Sequence, residues 1–186
     1  WEHTRYWVCF CSNNQYDIQD ELGHGDVFAS SFYLALASGK VLGTCMVLDE
    51  QALPLTRAWC IFEVLQTLLL QKTDSGFAGL LFCTATGVLN SGEGSIDVCL
   101  NLAKRIAELD LEKAGASNHH DKAMISEQVI KQLGDFNVMN QLLRKHVAET
   151  MIEAQRNCNR DFEQILKRLE PEDVQEGDQI EGAARG

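Results

Sequence analysis

The sequence predicts an α/β layer fold: a parallel sheet with flanking helices, followed by a helical extension at the C-terminal end. Three observations predict it. Residues 41–48 (VLGTCMVL) and 76–89 (GFAGLLFCTATGVL) are almost continuously apolar, as strands covered on both faces of a parallel sheet tend to be. Residues 57–72 between them are apolar nearly all round, which suits a buried crossover helix. Residues 139–169 carry an apolar stripe that steps by three and four, the period of a helix packed along one face.

The elements follow in order. Residues 6–11 (YWVCFC) are aromatic and β-branched and predict a buried strand, a parallel neighbour of the other two. Asn13, Asn14 and Gln15 open a polar stretch that runs to Asp26. It is expected to be a long loop, and long loops on a rigid scaffold often carry function. Asp26 or Ser30 caps a short helix through Ser38, and Gly39 stands where a helix end favours a left-handed residue. Asp49 and Glu50 close the strand over 41–48, and Thr56 is expected to cap the helix over 57–72. A third strand lies within 76–89.

Cys99, Leu102, Ala103, Ile106 and Leu109 recur at helical spacing, and Gly115 breaks that helix. Asn118, with Asp121 three residues on, forms a capping arrangement that opens a helix through Leu133, ended by Gly134. The stripe over 139–169 is one long helix or two in tandem, stopped by Pro171. About eight turns is long for a small domain, so its distal half is expected to meet a partner. The remainder to Gly186 is acidic, glycine-rich and free of aromatics, and is expected to be a disordered tail. The organisation is thus an α/β domain over 1–134, a helical segment over 135–170 and an acidic tail over 171–186.

Composition excludes several functions. The chain has 186 residues and a formal net charge of -11, so it repels phosphate backbones and anionic lipid surfaces. Neither nucleic acid nor membrane is an expected partner. No apolar run approaches the roughly 18 residues that span a bilayer. The seven cysteines are odd in number and include no CxxC pair, which fits free thiols in a reduced, cytoplasmic compartment. The five histidines are scattered, and no metal site is expected. No GxGxxG loop appears, so no dinucleotide cofactor of the Rossmann kind is expected, and the GEG at 92–94 reads as a turn. His119, His120 and Asp121 sit at a helix start, where exposed polar residues belong. The chain opens on Trp1 without a signal-peptide pattern, and reads as an excerpt whose preceding strand is missing.

The most informative segment is RAWCIFEVL at 57–65. Glu63 is the sole charge between Arg57 and Lys72. A carboxylate on an apolar helix must be paired, kept neutral, or placed at a cleft. Two readings stay open: a structural ion pair with Arg57, or a functional carboxylate. Trp59 and Cys60 read first as core packing.

The run VLGTCMVLDEQALPLTRAWCIFEVLQT resembles the third strand and following helix of Toll/interleukin-1 receptor (TIR) domains. That family carries an apolar strand, a short loop and a Trp-Cys-x-x-Glu helix start, matched here by Trp59, Cys60 and Glu63. YWVCFCSNNQ resembles the second strand and loop of TIR-like proteins of protist and algal type, and GFAGLLFCTATGVL the fourth strand. The resemblance covers residues 6–90 and implies a flavodoxin-like sheet lacking its first strand here. It implies hydrolysis of the nicotinamide–ribose bond of NAD, with Glu63 as catalytic carboxylate and Asn13, Asn14, Gln15 and Trp59 near the substrate. NAD would be substrate, not cofactor. The chemistry is physically sensible, because nicotinamide leaves through an oxocarbenium-like transition state that a nearby carboxylate stabilises. The alternatives are a TIR-like assembly module without activity, which associates with itself or with other TIR-like chains, and a structural α/β subunit of a larger complex. The helix over 139–169 would offer a further surface for a partner.

Overall fold

The computed structural model describes residues 5–14, 16–91 and 94–169. The apolar runs over 41–48 and 76–89 become β1 (Thr44–Val47) and β2 (Leu80–Thr84), paired in parallel from Thr44↔Leu80 to Val47↔Cys83. The buried helix between them is α4 (Ala58–Thr73), so β1, α4 and β2 form a β-α-β unit. β2 then turns back into β3 (Gly87–Val88), antiparallel, with Cys83 opposite Val88. Among the described residues the sheet has three strands, in the order β1-β2-β3. The fold is therefore mixed α/β, with one parallel pair rather than three parallel neighbours.

The strand expected over residues 6–11 is a correction. That segment ends in a helical turn, α1 (Cys9–Ser12), with the Cys11 and Ser12 N–H groups donating to the Val8 carbonyl. A strand needs an edge to pair with, and this segment lies against a helix instead. Trp7 meets the ring of Phe32 edge-on at 6.1 Å, while Tyr6 remains 64% exposed. The polar stretch to Asp26 is also more structured than a loop. It contains α2 (Ile18–Glu21) and a left-handed turn at Gly23, His24 and Gly25.

Both expected caps act. Asp26 accepts from the Phe28 N–H to start a 3₁₀ turn at Val27–Ala29, and Ser30 accepts from the Tyr33 N–H to start α3 (Ser31–Ala37). Gly39 has φ +68, as its place after α3 requires. Thr56 does not cap α4. Its hydroxyl donates back to the Leu53 carbonyl, and α4 gains its first partner from another loop. The Ala58 N–H donates to the Gly115 carbonyl at 2.8 Å, and the Gly115 N–H donates to the Thr56 carbonyl.

The second half is helical, as its periodicity requires. α5 (Ile96–Glu108) buries Cys99, Leu102 and Ile106. α6 (His119–Leu133) starts at Asn118, which accepts from the His120 N–H, and stops at Gly134 with φ +91. α7 (Phe136–Leu169) is one unbroken helix of 34 residues. Its buried positions end at Ala154, and beyond them Phe162, Ile165, Leu166 and Leu169 stand exposed. The stretch over 171–186 lies outside the described residues.

The main core joins Met46, Leu48, Leu65, Leu80 and Phe82 to Met139, Leu143 and Val147 of α7. A smaller cluster, Val27, Ala58, Phe62 and Ile125, fastens the 3₁₀ turn and α6 to α4, with Tyr33 of α3 packed against it. The outer side of β2 is closed by side chains. Asn90 accepts from the Phe82 N–H at 2.6 Å and donates to the Leu80 carbonyl and the Thr150 hydroxyl. His146 Nε2 donates to the same Leu80 carbonyl at 2.8 Å. Burial holds the His146 imidazole below its ordinary pKa, so it serves as a neutral donor packed on the Phe82 ring. Among the described residues, no helix is long and apolar enough to cross a membrane.

Candidate functional site

Glu63 sits near the middle of α4, on the stripe it shares with Trp59 and Gln66. That stripe faces α6. Trp59 Nε1 donates to Asp121 Oδ2 at 3.1 Å, and Gln66 Nε2 donates to Gln132 Oε1 at 2.9 Å. Both bonds advance along the two helices together, so α4 and α6 run side by side in the same direction. Glu63, between Trp59 and Gln66, therefore falls at the level of Gln128. The Oε1 of Gln128 is buried and has no hydrogen-bond partner among the described residues.

The carboxyl is only partly exposed, and burial dominates its chemistry. Desolvation raises its pKa from the ordinary carboxylate range to about 7, against a smaller opposing pull from Arg57. Arg57 itself is exposed, and no ion pair within 4 Å joins it to Glu63 among the described residues. Near neutral pH the group is thus divided between acid and carboxylate. As the acid it is a hydrogen-bond donor, the complement of a bare acceptor such as Gln128 Oε1.

Trp59 is held by internal contacts. Its ring meets Phe62 edge-on at 6.1 Å, and its one donor is taken by Asp121. Asn13 and Asn14 lie beyond α1. The Asn14 N–H donates to Glu21 Oε1 at 2.9 Å, and its side chain accepts from the Tyr16 N–H. The Ser31 hydroxyl and the Asn14 N–H together hold the Glu21 carboxyl below its usual pKa. The bonds of Asn14 thus stay within its own loop and bring it to neither Trp59 nor Glu63. Gln15 lies outside the described residues, as do Gly92 and Glu93 of the GEG turn.

The surface of the described residues includes two concavities. One, of about 480 Å³, opens between α5 and the distal part of α7, lined by Thr86, Ser95, Ile96, Cys158, Asp161 and Phe162. The other is a narrow cleft among Ala58, Ile61, Leu111, Ile125 and Phe136. Glu63 and Trp59 line neither. Among the described residues no group of three or more His, Cys, Asp or Glu side chains is placed to hold a metal ion.

Sequence reasoning does not find Asp121 as the partner of Trp59 or Gln128 as the neighbour of Glu63's level, because these residues lie more than 60 positions apart in the chain. It does not find the meeting of Cys45 and Cys83 either. Both project from the face of the sheet opposite α4, where burial foremost, and then the neighbouring Cys45 thiol, push the Cys83 thiol up to about 11. Alternation along each strand was the available signal.

Comparison with protein-family models, with curated proteins and with solved structures finds no match.

Proposed function

We propose that this chain is a TIR-like protein–protein assembly module that does not itself cleave NAD. In this reading β1, α4 and β2 are part of a flavodoxin-like arrangement, and Glu63 is the counterpart of the family's catalytic glutamate. The observation that carries the reading is the enclosure of that glutamate. A carboxylate that stabilises an oxocarbenium ion must reach the ribose, yet Glu63 is desolvated by burial and lines neither of these concavities. Nor does Asn14 approach it, since its bonds close within its own loop. What remains available for function is surface, above all the exposed apolar residues Phe162, Ile165, Leu166 and Leu169 of distal α7.

NAD hydrolysis is the second reading, and one observation favours it. A carboxyl with a pKa of about 7 is tuned as catalytic acids and bases often are. Nicotinamide release separates the two readings. The protein, both dilute and concentrated enough to self-associate, is incubated with NAD and the free nicotinamide is quantified. The module reading expects no release above the blank in either state. Release that disappears in Glu63→Gln, with the fold intact, would return the chain to the enzymes.

A further inference from the structure

We infer that a second copy of this chain pairs with the distal part of α7, helix against helix and antiparallel, about a two-fold axis that passes between Phe162 and Ile165. The inference rests on the assembly reading and names the partner and the register.

α7 outruns the fold it packs on. Its last buried residue is Ala154. The Asn157 amide donates to the Ser91 carbonyl at 2.9 Å, the last hydrogen bond that ties α7 to the rest of the fold among the described residues. Residues 158–169 continue as helix beyond it, a length that is marginal on its own in water. Phe162 is 61%, Ile165 52% and Leu169 73% exposed. With Cys158 they step by four, three and four, the spacing of a two-helix seam. Cys158, Phe162 and Ile165 also form one wall of the concavity of about 480 Å³, whose other wall includes Thr86, Ser95 and Ile96. The seam therefore has a trough beside it, wide enough to take side chains from a second helix. Thr86 lies in the turn between β2 and β3. The flavodoxin-like reading continues the sheet past β1, and this surface lies on the opposite side.

Charge selects a second copy and sets its direction. The whole chain carries a net charge of -11, which holds copies apart over most of the surface. Within residues 158–169, Arg160, Lys167 and Arg168 balance Asp161 and Glu163, so two copies meet here without that repulsion. An axis between Phe162 and Ile165 packs Phe162 on Ile165 of the other copy and Cys158 on Leu169, each twice by symmetry. Leu169 then enters the concavity of the other copy at the level of Cys158, beside Ile96. Asp161 and Arg168 are seven residues apart and flank the seam on the same side. The antiparallel register brings Asp161 of each copy to Arg168 of the other. A parallel pair would set Asp161 beside Leu166 of the other copy instead, a carboxylate against an apolar side chain. The antiparallel interface is isologous and closed.

Sedimentation and thiol cross-linking test this on the whole chain. The expected result is a reversible dimer. Phe162→Glu keeps a good helix former but sets a charge in the seam, and should weaken the dimer ~tenfold or more. Asp161→Arg and Arg168→Asp should each weaken it several-fold, and the two together should restore it. Leu169→Cys reads the direction. Diamide should join the new thiol to Cys158 of the other copy, two thiols giving up two hydrogens to diamide as one S–S bond forms, and adding Cys158→Ser should abolish the product. In the wild type the two Cys158 thiols stand ~16 Å apart along the seam, at 1.5 Å per residue, and should not join. All these positions are exposed, so the variants retain the fold, which a matching unfolding curve checks. A protein that sediments as a monomer at every concentration overturns the inference. So does a dimer that ignores Phe162→Glu or the charge swap, or a wild-type disulfide between the two Cys158 thiols, although such a dimer leaves the assembly reading standing. Nicotinamide release would instead sink that reading, whatever the oligomeric state.

Discussion

Phe62→Ala should destabilise the protein by about 3–5 kcal/mol, as truncation of a buried aromatic residue does. Phe62 is 0% exposed. It is the centre of the smaller cluster, meeting Phe28 at 6.1 Å, Tyr33 at 6.4 Å and Trp59 at 6.1 Å between ring centroids. Removing the ring takes away its transfer energy, leaves a cavity and abolishes the edge-to-face contacts with Phe28 and Trp59, each worth roughly 0.5–1.5 kcal/mol beyond burial. The position also fixes what depends on it. α3 and the 3₁₀ turn at Val27–Ala29 are held to α4 largely through this cluster. The urea midpoint should fall while the slope stays constant. A loss below about 1 kcal/mol would show that the cluster collapses around the gap, or that α3 is fastened by something else.

Glu63→Gln should change the pH dependence of stability rather than simply lower stability. The folded-state pKa of Glu63 is raised by burial to about 7 from its ordinary value of 4.5. Below 4.5 the group is protonated in both states and its contribution to stability is fully present. Between 4.5 and 7 the unfolded chain ionises first, so that stability is progressively lost, and above 7 the loss is complete. The difference in pKa corresponds to up to about 3 kcal/mol. Glutamine keeps the shape and stays neutral throughout, and its amide can donate toward α6. The variant should therefore match the wild type near pH 4 and exceed it above pH 7, with the wild-type slope across that window flattened. If a structural ion pair with Arg57 held Glu63 instead, the variant would be the less stable protein above pH 5.

Much of the fold was legible because the signals are local. The apolar run over 41–48 and the helix after it declare themselves by composition. Gly39, Asn118 and Gly134 mark helix ends by what their backbones or side chains can do. The α7 stripe gave the helix but not the place where packing stops, because Phe162 and Ile165 continue the period after burial ends at Ala154. The misread segment over residues 6–11 shows the limit. Its β-branched and aromatic residues describe a fit to a half-buried pleated surface, and whether such a surface lies alongside is decided by the rest of the chain. Thr56 is a similar case, since its hydroxyl has a nearer acceptor in Leu53 and the helix N-terminus has Gly115.

The candidate site was legible in one residue and not in its surroundings. An isolated carboxylate on an apolar helix identifies Glu63 as a residue that needs a reason. Which reason depends on what surrounds α4, and the Trp59–Asp121 bond that joins it to α6 has no trace in local spacing. The sequence likewise shows that Cys45 lies in a strand, but not that its thiol neighbours Cys83.

The enclosure of Glu63 is the claim on which the functional reading turns, and its own carboxyl carbon reports on it. With ¹³C-labelled glutamate, the Glu63 side-chain resonance is followed by NMR across the pH range, with and without NAD. The account predicts a titration midpoint of about 7 and a resonance that NAD leaves in place. A midpoint near 4.5, the unshifted value, would contradict the enclosure, and a resonance that moves as NAD is added would place the carboxyl in a substrate-facing site.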